Sequence, residues 1–118
     1  MILELTDTNY VETVEHETRA IFIDFYSPMC GPCQELMLQL PHLDNYFKES
    51  ALIAKVDVTK NPKLAQKYQI TSVPFCVSIS PNDKLIKDYE LGAGSIDRYI
   101  SMIKKAQGKG FFARIFGA

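Results

Sequence analysis

Polar and apolar positions along the chain alternate in blocks whose periods differ. Residues 20–26 are apolar, β-branched or aromatic at every position but Asp24, as expected of a strand covered on both faces. Residues 51–57 repeat the pattern, and 2–6 form a shorter version. Between these runs the period lengthens. Thr6, Asp7 and Thr8 are helix-start residues, and Tyr10, Val11 and Val14 fall on one helical face that ends near Glu17 or Thr18. Residues 30–48 read as one long helix, with Leu36, Leu40, Leu43 and Phe47 at spacings of three and four and a kink at Pro41. Asn61-Pro62 is a helix start, a capping Asn before a proline at the first helical position, and that helix runs to about Tyr68.

Residues 75–80 and 85–91 are two strands joined by Pro81-Asn82-Asp83-Lys84, hence a hairpin. Gly92-Ala93-Gly94 breaks the chain. Ser95 caps a final helix to about Ala106, with Ile96, Tyr99, Ile100 and Ile103 inward. The order β-α-β-α-β-α-β-β-α implies parallel pairing with right-handed crossovers and a closing antiparallel hairpin. An α/β domain follows, with a mixed sheet of about five strands and helices on both faces.

Composition narrows this little. At 118 residues the chain is long enough for one core. A formal net charge of −1 gives no reason to expect a nucleic-acid partner. No apolar run approaches the roughly 20 residues of a membrane span, so no stable membrane insertion is expected. The first residues lack the basic and apolar regions of a secretory signal, so a cytoplasmic location is expected.

Three cysteines are too few and too unevenly spaced for a disulfide framework, and two of them form Met29-Cys30-Gly31-Pro32-Cys33. This stretch stands where a strand gives way to a helix. A thiol in a first helical turn faces unpaired N–H groups and the positive end of the dipole, which lowers its pKa. Cys30 is then the attacking thiolate, and Cys33, one turn on, the resolving thiol. Gly31 lets a substrate backbone approach, and Pro32 suits a first turn. A zinc site is the competing reading. It needs two further ligands, and neither a second cysteine pair nor a paired histidine is present. His16 and His42 are isolated and read as surface residues.

Asp24 is the one charged residue of its strand, so burial should raise its pKa. Such a carboxyl near Cys33 could take the proton of that thiol. The bland alternative is a strand-end carboxylate that meets water or a backbone N–H.

The ordered set Asp24, Cys30-Gly31-Pro32-Cys33, Lys55, Asn61-Pro62, Val73-Pro74 and Gly92 resembles the thioredoxin family, over residues 2 to 106. The resemblance implies a thioredoxin fold and a redox-active Cys30–Cys33 disulfide. It implies catalytic roles for Asp24 and a neighbouring Lys55, although Lys55 reads equally well as an ordinary strand lysine. It implies a cis Pro74 and a substrate-binding surface of Met29, Gly31, Pro32, Val73, Pro74 and Gly92. It further implies no bound cofactor or metal, with electrons supplied by an NADPH-dependent thioredoxin reductase, disulfide-containing proteins as substrates, and a monomer.

Three departures matter. The chain has no Trp, and Met29 and Tyr26 stand where the family suggests tryptophans, which alters the docking surface. Pro41 falls about one turn later than the family's kink, and Gln34 replaces a common basic residue. Cys76 lies two residues past Pro74, on the same strand face. It reads as a packed small hydrophobe or, more sharply, as a third redox thiol. Residues 107–118 lie beyond the 1–106 domain as a basic, aromatic tail. There Phe111, Phe112, Ile115 and Phe116 would share a helical face that docks on this chain, a partner or a membrane surface. The expected activity is reduction of protein disulfides by dithiol–disulfide exchange, serving electron transport and redox homeostasis. The alternatives are an interaction module that keeps the fold and, in an exported compartment, a thiol oxidant or isomerase.

Overall fold

The computed structural model describes residues 1–108 in full and the backbone of 109–116. Five strands, β1 (Ile2–Glu4), β2 (Ala20–Tyr26), β3 (Ala51–Asp57), β4 (Phe75–Ile79) and β5 (Ile86–Leu91), form one sheet in the order β1-β3-β2-β4-β5. The first three run parallel, and β4 and β5 add antiparallel pairings. β2 and β3 occupy the spans their apolar runs predict, because both are central and nearly every side chain on either face is buried.

Five helices cover the two faces: α1 (Tyr10–His16), α2 (Gly31–Met37), α3 (Leu40–Phe47), α4 (Pro62–Lys67) and α5 (Ile96–Phe116). One core joins Ile21, Ile23 and Phe25 to Tyr10, Val14 and Leu64 of α1 and α4. The opposite core joins Phe22 and Ile53 to Leu36, Leu40 and Leu43 of α2 and α3 and to Tyr99, Met102 and Ile103 of α5.

The structure corrects several local expectations. The long helix 30–48 is two helices. The break precedes Pro41, whose ring would collide with the Met37 carbonyl and whose nitrogen carries no proton. The chain tightens there, with Leu38 N–H bonded to Glu35 O and Gln39 N–H to Leu36 O. α3 then hands over to β3 through a single 3-10 turn, Lys48–Ser50. Asn61 precedes α4 but its side chain does not cap it. Asp7 does, its carboxylate accepting from Lys63 N–H (3.1 Å) and Leu64 N–H (2.9 Å). Asn61 instead ties the loops together, accepting from Asp7 N–H and donating to Asp57 O.

Ser95 does cap α5, accepting the Arg98 N–H at 3.1 Å. α5 is regular to Gln107 and turns at Gly108, whose φ of 73° lies in the left-handed region that glycine tolerates. Its last full turn is anchored where Gln107 Nε2 donates to Ser50 O. The expected face of Phe111, Phe112, Ile115 and Phe116 falls outside the residues whose side chains are described. No helix of the described residues is long and apolar enough to cross a membrane.

Candidate active site

Cys30 is the N-cap of α2, extended where the strand-to-helix turn ends, with Pro32 in the first turn of the helix. Its Sγ accepts the Cys33 N–H at 3.2 Å, one of the orphan donors of a helix start. The two cysteines form a disulfide with Cα atoms 5.2 Å apart. They differ in access: Cys30 is half-buried and Cys33 fully buried. An incoming disulfide therefore reaches Cys30 first.

The surroundings of Cys30 are assembled from three segments. Met29 projects beside it, 93% exposed. Gly31 is exposed, and a Cβ there would touch no atom of this chain within 4 Å, so the space above it is open to a partner. Val73 O lies 3.8 Å from Cys30 Sγ, and the Val73–Pro74 peptide is cis. Pro74 is buried, and its carbonyl accepts the Gly92 N–H at 2.8 Å. Gly92 has φ of 83°, a conformation that a side chain would strain. Residues far apart in sequence thus form one rim around the exposed thiol.

Asp24 is completely buried in mid-sheet. It shares a strand face with Phe22, which packs against Leu36 of α2. Cys33 precedes Leu36 by one helical turn and faces the same side. Burial pushes the Asp24 carboxyl up to about 7, while a hydrogen bond from Cys76 and the charge of Lys55 act to lower it and Glu4 to raise it. The strand-end alternative for Asp24 does not hold, since the residue has no exposure.

The side chains next to Asp24 come from the strand register. Glu4, Lys55, Asp24, Cys76 and Glu90 are successive partners on β1, β3, β2, β4 and β5, forming one row of titratable groups across the whole sheet. Lys55 does stand beside Asp24, but its Nζ pairs with Glu4 Oε1 at 3.7 Å and lies 5.7 Å from the Tyr26 ring centre. Tyr26 donates its hydroxyl to the same Glu4 carboxylate. Cys76 is fully buried, so it packs in the core and presents no accessible thiol. Sequence reasoning missed Glu4 as a member of this row and Tyr99 as part of the core beside it. The only signal for Glu4 was a charge in a short apolar run. His16 and His42 are on the surface. Among the described residues, no cluster of three or more His, Cys, Asp or Glu is placed to hold a metal ion.

A half-buried cysteine at a helix start, bonded to a fully buried one a turn later, with a buried acid in the preceding strand, defines a dithiol–disulfide oxidoreductase. The comparisons with known proteins give the family. The thioredoxin family model matches residues 1–105, and the chain belongs to the thioredoxin family. It is 32% identical over 92 residues to a thioredoxin of Griffithsia pacifica, covering 78% of this chain and 83% of that protein. It is 29% identical over 75 residues to a bifunctional thioredoxin reductase/thioredoxin of Mycobacterium leprae, 64% of this chain and 16% of that one. Its fold superposes on chloroplastic thioredoxin z with a TM-score of 0.80 at 19% identity, over 90% of this chain and 94% of the other.

Proposed function

We propose that this oxidoreductase works as a reductant of protein disulfides, with Cys30 as nucleophile, Cys33 as resolving thiol and Asp24 as proton acceptor. The unequal access of the two cysteines carries the reading. The Cys30 thiolate attacks one sulfur of a substrate disulfide. A Cys30–substrate bond forms, the substrate bond breaks, and the departing sulfur takes up a proton. Cys33 then loses its proton to Asp24 and attacks Cys30 Sγ. The Cys30–Cys33 bond forms as the second substrate sulfur leaves, so two electrons have passed from the dithiol to the substrate.

Met29, Gly31, Pro32, Val73, Pro74 and Gly92 hold the substrate segment. The Val73 carbonyl beside Cys30 offers an extended chain a main-chain hydrogen bond. Lys55 acts on Asp24 through its charge alone. The dithiol is restored by an NADPH-dependent thioredoxin reductase. The bifunctional mycobacterial relative, a reductase and a thioredoxin in one chain, supports that pairing. The protein acts as a cytoplasmic monomer of residues 1–106 with 107–118 as an appended tail.

The test is reduction of a disulfide protein by this chain with NADPH and a thioredoxin reductase. Turnover is expected and is lost in Cys30→Ser. Absence of turnover in the unmodified protein overturns the reading.

A further inference from the structure

The row of groups beside Asp24 contains a thiol that the exchange reaction does not consume. Cys76 on β4 is the register partner of Asp24 on β2, and both are completely buried. Cys76 Sγ lies 3.9 Å from Asp24 Oδ1, within reach of a sulfur hydrogen bond, while Oδ2 has no partner among the described residues. When Asp24 is ionised, the thiol is the only donor of this pair. It keeps its proton, because burial and the neighbouring carboxyl raise its pKa well above the ordinary value.

Tyr99 of α5 lies in the same buried core as Cys76, and its hydroxyl acts to lower the thiol's pKa against the effect of burial. That hydroxyl accepts the Gly94 N–H at 2.6 Å, so its own proton is free to turn toward the sulfur. Gly94 closes the loop whose Gly92 N–H is bonded to Pro74 O at the rim. Cys76, Asp24 and the Tyr99 hydroxyl are thus polar groups inside a core otherwise made of Phe22, Leu36, Met102 and their neighbours.

We infer that Cys76 is a positioning residue for Asp24: its S–H engages Oδ1 and leaves Oδ2 as the atom that receives the Cys33 proton. This rests on the reading of Asp24 as proton acceptor. Cys76 keeps its own proton throughout, and no electrons pass through it. The other titratable groups of the same row are Lys55 on β3, Glu4 on β1 (paired with Lys55 and Tyr26) and Glu90 on β5 beyond Cys76. Lys55 and the thiol favour the ionised carboxyl, and Glu4 opposes it.

The experiment follows the pH dependence of the second exchange step, release of a thiol from a mixed disulfide on Cys30. It compares Cys76→Val with Cys76→Thr, which match in shape and differ in a hydroxyl donor, alongside Asp24→Asn. Thermal unfolding checks that each variant is folded, and Cys76→Ala replaces Val if that variant is not. Loss of the donor removes a stabiliser of the ionised carboxyl. The midpoint should move up by about half a unit in Cys76→Val, from a hydrogen bond of ordinary strength. The step then slows about two- to threefold near neutral pH, and Cys76→Thr recovers much of the shift.

Identical midpoints in Val, Thr and the unmodified protein, with the profile flattened by Asp24→Asn, overturn the role of Cys76 and leave Asp24 standing. A profile unchanged by Asp24→Asn overturns both.

Discussion

On one side of β2, Ile21, Ile23 and Phe25 pack with Leu5, Val14, Leu64, Val77 and Ile79. On the other side stand Phe22, Asp24 and Tyr26, and the neighbouring strand adds Cys76 and Ser78. The two sides are equally buried, with no residue of β2 more than 9% exposed. They differ in what was buried. On the α1/α4 side the buried β2 side chains and their core partners are hydrophobic. The α2/α5 side holds a carboxyl and a serine hydroxyl that each carry an oxygen without a partner among the described residues. It gives up stability at those two positions.

The largest effect should come from the apolar side. Phe25 is completely buried, with its ring 4.8 Å from that of Tyr68 and 6.2 Å from that of Phe75. Phe25→Ala should cost about 3–5 kcal/mol by denaturant unfolding, the usual range for emptying such a site. The cost should be the same at pH 5 and pH 8, because no titrating group is removed. A cost that changed with pH would mean that the two sides are not separable.

Asp24 should behave in the opposite way. Its carboxyl titrates near 7 in the fold, against an ordinary value of 3.8. Between those values the folded chain holds a proton that the unfolded chain has released, so stability falls as pH rises. The contribution is fully present below about pH 4 and gone above about pH 7. Over that window the loss is on the order of 3–4 kcal/mol, at about 1.4 kcal/mol per unit.

Other carboxylates, such as Glu17 beside Arg19 and Asp88 beside Arg98, are shifted down and act in the reverse direction. Subtracting the curve of Asp24→Asn removes them. The difference between the two stability curves should therefore grow steadily from pH 4 to pH 7 in favour of the variant. A flat difference would show that burying this charge is not what the α2/α5 side gives up.

The contrast between the sides was only half legible in the sequence. β2 and β3 could be read because a run of seven residues covered on both faces has one signature. Cys30 and Cys33 could be read because their chemistry depends on local geometry, a strand followed by a helix start. Asp24 and Cys76 were each visible as an oddity within its own strand. Their adjacency was not, because it depends on the register of two strands about fifty residues apart, and a slip of one residue would turn Cys76 to the other face. Lys55 shows the same limit, since register puts it beside Asp24 while its ammonium goes to Glu4 on a third strand. Asp7 capping α4 is again a contact between distant segments, where local rules pointed to Asn61. Pro41 marked a bend, but whether two turns bend or separate depends on what each buries.

Ser78 gives the smallest and most discriminating test. It is fully buried opposite Phe22 and Asp88, on the same side as Asp24, and its Oγ has no partner among the described residues. A desolvated hydroxyl without a hydrogen bond opposes folding, and alanine removes the oxygen while leaving only a small void. Ser78→Ala should therefore raise stability by up to about 1 kcal/mol in denaturant unfolding, where truncation of a buried side chain normally lowers it. A loss of that size would mean that the hydroxyl makes a bond in solution, and one of the two polar defects would disappear. The midpoint of the thiol-exchange pH profile should not move, because the Ser78 hydroxyl makes no hydrogen bond to Asp24 or Cys76 among the described residues. Stabilisation without a change in that profile would make Asp24, rather than buried polarity in general, the link between the weaker side of the sheet and the chemistry above it.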